Sequence, residues 1–536
     1  MERLSTRRGL LAYFAFACVC FAVYAPALNG DFVSDDRLYV SESPYTVSLD
    51  REAVRGMIAP FGDASAYTVN YAPVHLLLHA LQRQAFADTP LGYHVTNVAL
   101  HALNATLLLA LLLGTRVPPL AALWGAAAFA LHPANVEAVA WISQLKTVAA
   151  MTLALAAVLV HGRWPLASTL PFALALLAKA SASFALPLAA GLCWTRGGPT
   201  RRHGLALVAW TLALALYLIP QFEAHRFALD VEVAAYEDPF VWLRSMAAYG
   251  ARYLAMAVGY GIAPFQQPDP ALSWLDPWWL AALPLGALGT WRIVAPLRMR
   301  REEGAWWLAA AAAFAPVSQW LPFGSAVADR YLYFILPGLI GGALLLGSHL
   351  VGGRVRDARA PWLRVAQAGG LAVLLVCGVH SHDRAALWRS EPRLLAEGAR
   401  VDPDTMYALR LAGLRAMRQG DADGAVAALR ASIERGMDPR KIWSDPDLTP
   451  LRESPAFIEL VRTSLEAWLE RERSRGRTSR PHLAGMARVE LALGRPERAI
   501  ALFERALAAD GPFEASVRAE LEALRTLGPS AIMHPR

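Results

Sequence analysis

Long apolar runs separated by short polar, arginine-bearing breaks dominate the first 380 residues, and an amphipathic pattern dominates the rest. Membrane helices need roughly 17–25 predominantly apolar residues. Runs of that kind, several of them short, fall near 9–28, 93–113, 118–132, 147–161, 164–178, 181–195, 204–220, 275–292, 304–321, 331–350 and 364–380. The stretch 241–263 is apolar enough to span but carries Arg244 and Arg252. From about His382 the runs give way to helical patterns rich in Arg, Glu and Ala.

Arginine placement orients the runs, because cytoplasmic loops of membrane proteins are enriched in Lys and Arg. With Arg3, Arg7 and Arg8 inside, so are Arg116, Arg163, Arg196, Arg201 and Arg202. The clusters Arg292, Arg298, Arg300, Arg301 and Arg354, Arg356, Arg359, Arg364 also fall inside if 241–263 lies in the interface rather than crossing. The expectation is eleven crossings, a cytoplasmic N-terminus and an external C-terminus. The first run is too long for an ordinary signal peptide and reads as an uncleaved helix. Loops 29–92, 132–146, 221–274 and 322–330 then share the outer face.

Composition agrees with this class. Of 536 residues, 55% are hydrophobic and 18% charged, with mean hydropathy +0.32; soluble domains carry about 25% charged residues. The net charge of +7 reflects topology-setting arginines rather than a nucleic-acid surface. The four cysteines lie within apolar runs with no disulfide or metal spacing, so they read as small packing residues. No cofactor is indicated, and a divalent metal is left open.

The C-terminal part contains two similar stretches. Gly420 is followed by Ala425, Leu429 and Ile433, and Gly494 by Ala499, Phe503 and Leu507. A turn glycine, a small residue and apolar residues at helical spacing predict helix–turn–helix repeats of tetratricopeptide type, which offer surfaces to partner proteins. The glycines are 74 residues apart, so the interval is irregular or holds a degenerate copy. Arg471–Arg480 reads as an exposed loop. The expected division is 1–380 for the membrane region and 381–536 for the repeats.

Candidate chemistry gathers on the outer side. Asp35 and Asp36 follow the first run. His132, Glu137 and Lys146 lie in one short loop, Lys179 between two runs, and Asp329-Arg330 before the tenth run. Carboxylates supply a base, and cations neutralise a phosphate leaving group. His94, Asn97, His101 and Asn104 form one stripe on the second run. Such a stripe faces the bundle, either as interhelical hydrogen bonds or as a substrate path. Motifs for cytoplasmic nucleotide binding are missing from the sequence.

Four segments in order carry a family resemblance: Gly30-Asp31-Phe32-Val33-Ser34-Asp35-Asp36, Gly92-Tyr93-His94 through Asn104, Ala130-Leu131-His132-Pro133 through Ser143, and Ala328-Asp329-Arg330-Tyr331-Leu332-Tyr333. Together they resemble the transmembrane and tetratricopeptide-repeat O-mannosyltransferases and their bacterial relatives, which are GT-C glycosyltransferases. The resemblance implies an all-α polytopic bundle and a polyprenyl-phosphate sugar donor, often carrying mannose. It also implies an acceptor hydroxyl, catalysis by the Asp35-Asp36 motif, and donor binding by His132, Glu137, Lys146, Lys179, Asp329 and Arg330. Three positions depart from the family pattern. Tyr71-Ala72-Pro73 lacks an arginine, Asn135 replaces a histidine, and Ala178-Lys179-Ala180 lacks an acid. The expectation is sugar transfer to Ser/Thr of a protein at the periplasmic face of a bacterial inner membrane. A lipid or polysaccharide acceptor, or a non-catalytic membrane-anchored repeat scaffold, stands beside it.

Overall fold

A computed structural model describes residues 5–226, 238–264, 266, 268–320, 325–351 and 361–528. Arg3, Arg354, Arg356, Arg359 and parts of the loops 221–274 and 322–330 lie outside the described residues. Among those described, every regular element is helical, and the chain is an all-α polytopic membrane protein. Two compact units are present, one of residues 1–57, 72–219 and 233–394, the other of 58–71, 220–232 and 395–536.

In the first unit α1 is Thr6–Leu28. Within the first long loop come α2 (Arg51–Ile58), α3 (Asp63–Thr68, in the other unit) and α4 (Pro73–Phe86). Then follow α5 (Pro90–Leu113), α6 (Pro119–Leu131), α7 (Asn135–Ala140), α8 (Leu145–His161), α9 (Thr169–Ala178), α10 (Ala185–Thr195) and α11 (Arg201–Arg226, its last residues in the other unit). The last five are α12 (Pro239–Met256), α13 (Pro277–Arg298), α14 (Glu303–Phe314), α15 (Asp329–Val351) and α16 (Pro361–Ala385). Proline opens α4, α5, α6, α12 and α13, where its missing N–H costs nothing.

Each expected apolar run is a helix, but their lengths differ. Among the described residues, seven helices are long and apolar enough to cross a membrane. The runs at α6, α9, α10 and α14 form helices of only 13, 10, 11 and 12 residues. Proline and the 3-10 turns at Ala180–Phe184 and Ala315–Val317 shorten three of them. Helix α12 is not among the seven; it buries Arg244, which donates to the carbonyls of Ala271 and Leu272 at 3.1 and 2.9 Å. Leucines and valines exposed along α1, α11, α13 and α16 form an apolar exterior suited to lipid.

The core sits where α1 packs on α5 and α16, α5 on α8, and α14 on α15. Gly341 and Gly342 of α15 accept the indole faces of Trp306 and Trp307 where no Cβ would fit, so these two helices approach closely. Helix α16 continues to Ala385 and the first unit to Leu394, beyond the expected division at 380.

The second unit contains α17 (Glu391–Val401, its first residues in the other unit), α18 (Met406–Arg418), α19 (Ala422–Glu434) and α20 (Pro439–Ser444). It continues with α21 (Pro455–Ser474), α22 (Arg480–Ala492), α23 (Pro496–Ala508) and α24 (Glu514–Leu527). Helices α18–α19 and α22–α23 pair through turns at Gly420 and Gly494, both with positive φ. Ala425, Leu429, Ala499 and Phe503 are fully buried at those seams. Between the pairs, a short helix, a 3-10 turn and the 20-residue α21 replace a regular repeat. The arginine-rich stretch 471–480 is not a free loop. Arg471 and Arg473 belong to α21, Arg473 pairs with Glu490 at 2.7 Å, and buried Arg480 opens α22 and bonds the Gly511 carbonyl. Glutamates at helical spacing supply the partners that a loop reading overlooks.

The second unit also includes residues 58–71 of the first long loop. Asp63 accepts the Phe513 backbone N–H at 2.8 Å, and Tyr71 N donates to Gln221 Oε1 at 3.1 Å.

Candidate functional site

Adjacent in sequence, Asp35 and Asp36 have opposite environments. Asp35 is exposed, whereas Asp36 is fully buried. The turn at Ser34, with φ 51°, directs the second carboxyl inward. Its Oδ2 accepts Val33 N at 2.9 Å, and its Oδ1 accepts Ser143 N at 2.7 Å. Trp141 Nε1 donates to the Val33 carbonyl at 3.2 Å. Asp36 therefore pins the first outer loop to the second.

Burial pushes the Asp36 carboxyl up to about 8, and Asp35 adds to this, while the Val33 and Ser143 N–H groups pull it down. The folded protein thus holds a proton between about pH 4 and 8 that the unfolded chain has lost. Stability from this group is complete below about pH 4 and falls as pH rises through that window, by at most about 1.4 kcal/mol per pH unit. Thermal unfolding in detergent should lose more stability from pH 5 to 8 in the wild type than in Asp36→Asn; equal slopes would contradict the assignment.

Three cations from three segments share a common field. Lys146, in the first turn of α8, donates to Tyr39 Oη at 3.2 Å and lies 4.5 Å from that ring. Lys179, at the α9 C-terminus, donates to Thr147 Oγ1 at 2.7 Å and lies 5.8 Å from the Tyr331 ring. Among the described residues neither lysine forms an ion pair with an acid. Arg330, at the α15 N-terminus, pairs with buried Glu137 of α7, and its backbone N also donates to Glu137 Oε2 at 3.2 Å. Lys146, Arg330 and Glu137 all act electrostatically on Lys179, and Asp35 acts on Arg330. The group holds Lys146, Lys179 and Arg330 against one buried acid, with Asp35 at its exposed edge; burial first, then Lys146 and Arg330, hold the Lys179 ammonium well below its ordinary range.

Other expected site residues are placed differently. Asp329 is buried within the field of Glu137 but has its own partners; Arg384 bonds it at 2.5 Å and Gln266 Nε2 at 3.1 Å. An acid already paired this way adds no charge for a phosphate. His132 accepts Ala134 N on Nδ1 and donates from Nε2 to the Ala257 carbonyl, both at 3.2 Å, so it is a neutral brace. The polar stripe of α5 is buried and mostly bonded. Asn97 donates to the Trp141 carbonyl at 3.1 Å. His101 bonds Tyr333 Oη at 2.8 Å and the Ala130 carbonyl at 3.0 Å. Asn104 donates to the Val148 carbonyl at 2.9 Å. His94 is buried beside them. Asn97, His101 and Asn104 thus each bond a neighbouring helix or loop.

Sequence reasoning missed His75 and His79 of α4. Both are fully buried against Tyr39, with ring centroids 4.7 and 6.3 Å away, and burial keeps both rings neutral. Their i, i+4 spacing inside an apolar stretch, His75-Leu76-Leu77-Leu78-His79, was the available signal.

No family model matches the chain. It is similar to protein O-mannosyl-transferase Tmtc1 of Drosophila melanogaster, at 33% identity over 208 residues, 36% of this chain and 24% of the relative. The chain thus spans about a quarter of the length of the curated relative it matches. The likeness read from the motifs is shown by direct comparison as well: over that stretch the chain resembles the transmembrane and tetratricopeptide-repeat O-mannosyltransferases.

Proposed function

We propose that the chain is a GT-C glycosyltransferase of O-mannosyltransferase type, moving a sugar from a polyprenyl-phosphate donor to an acceptor hydroxyl. The observation that carries this reading is the set Lys146, Lys179 and Arg330, in which, among the described residues, Glu137 forms the one ion pair, beside exposed Asp35. A basic group with a single ion pair, next to apolar helices, matches a phosphate bearing a polyprenyl chain, whose charge favours the protonated form of Lys179.

In the reaction Asp35 accepts the proton of the acceptor hydroxyl. The hydroxyl oxygen forms the new bond to the anomeric carbon as the bond from that carbon to the phosphate oxygen breaks. The bonding pair leaves with polyprenyl phosphate, whose added charge is met by Lys146, Lys179 and Arg330. Asp36 holds the loop that carries Asp35. Mannose as the sugar and Ser/Thr of a protein as the acceptor follow the relative's name. The helical pairs offer a protein-binding surface. An external site follows the arginine pattern, and a bacterial inner membrane, which makes that side periplasmic, follows the high Ala, Arg and Leu content.

Binding of a polyprenyl phosphate to the purified full chain, read by native mass spectrometry, tests the cation group. Lys179→Met and Lys146→Ala should each weaken it about 10- to 100-fold, the scale of one charge-assisted bond. Undiminished binding in both variants would overturn the assignment.

A further inference from the structure

Far from Asp35, the other end of α8 carries a second constellation. His161 ends α8, Cys193 lies in the last turn of α10 and His203 in the first turn of α11. One ligand atom from each residue lies within 4.8 Å of the others. Cys193 Sγ is 3.5 Å from His161 Nε2.

Hydrogen bonding prepares these groups. The Ser168 hydroxyl donates to the Pro165 carbonyl, so its oxygen accepts from His161 Nδ1–H at 3.2 Å. That fixes the tautomer and leaves the Nε2 lone pair facing Cys193. Thr200 Oγ1 lies 2.7 Å from His203 Nδ1 and orients the second ring. Trp210 meets the His161 ring edge-on at 5.3 Å and stacks on Phe172 at 4.1 Å, making an apolar wall. Metal-binding histidines ordinarily have such outer partners.

We propose that His161, Cys193 and His203 bind one Zn²⁺ ion, with water as the fourth ligand. Two imidazoles and a thiolate suit zinc and do not suit the oxygen-seeking Mg²⁺ or Ca²⁺. A tetrahedral ion with Zn–S of about 2.3 Å and Zn–N of about 2.0–2.1 Å sets sulfur and nitrogen about 3.5 Å apart, the separation found here. Binding releases the Cys193 thiol proton to solvent. The ion clasps α8, α10 and α11 at a point about 22 Å along α8 from Lys146, so it takes no part in sugar transfer. The linear spacing hides the site because the ligands come from three helices.

The full chain, purified in detergent without a histidine tag and equilibrated with Zn²⁺, should retain one Zn²⁺ per molecule by elemental mass spectrometry. Cys193→Ser and His203→Gln should each lower occupancy at limiting Zn²⁺ at least about tenfold. Substituted Co²⁺ should give a thiolate-to-metal charge-transfer band in the wild type that Cys193→Ser removes. Zinc should raise the thermal unfolding temperature of the wild type and of neither variant. Failure of the wild type to retain zinc, or equal retention by both variants, overturns the proposal and reduces the cluster to a thiol–imidazole hydrogen bond.

Discussion

Asp35→Asn lowers sugar transfer by about 10²- to 10⁴-fold, the usual contribution of a general base, while the protein still inserts, folds and binds polyprenyl phosphate. The separation rests on exposure. Asp35 is exposed, so amidation removes a proton acceptor and leaves the packing alone. Asp36→Asn behaves differently. An amide replaces one oxygen that accepts from Val33 N or Ser143 N, so a donor then faces a donor and the two loops separate. That variant should lose thermal stability together with activity. Transfer assays on both variants, beside their unfolding temperatures, decide the roles. Full activity in Asp35→Asn with a stable but inactive Asp36→Asn would exchange the assignments.

Glu137→Ala destabilises the protein by about 3–5 kcal/mol, because it strands a charged guanidinium among buried groups. The Glu137–Arg330 pair joins α7 to the start of α15, and the Arg330 guanidinium also lies 5.4 Å from the Trp141 ring. Loss of the pair therefore loosens the loop that receives Asp36. The double variant Glu137→Ala/Arg330→Met should recover most of the stability in thermal unfolding and none of the donor affinity. A double variant as unstable as the single one would show that Arg330 acts through some other contact.

The membrane architecture was legible because its physics is local. Twenty apolar residues in a row need no partner to identify them. Helix length was less legible, since Pro316 and the turn beginning at Ala180 end helices that hydropathy alone would extend. The site was legible as an inventory and not as an arrangement. Nothing in Asp35-Asp36 says which carboxyl turns inward; that is decided by Trp141 and Ser143, more than a hundred residues away. Asp329 and Arg330 looked like one unit, yet successive residues at a helix start point in different directions, and each found its own partner. His75 and His79 escaped notice because the stretch around them read as loop.

Residues 58–71 and 220–232 grouping with the C-terminal helices bear on how such a protein can be divided or recombined. Cutting at Leu394 does not detach a self-contained module. It leaves Asp63 without the Phe513 amide while Tyr71 and Gln221 remain behind, so the first outer loop keeps half of an interlocked fold. A chimaera that exchanges the repeats has to carry those two upstream segments with them. Evolution faces the same constraint: insertion or loss of repeats must leave the part of the C-terminal domain that holds Asp63 in register.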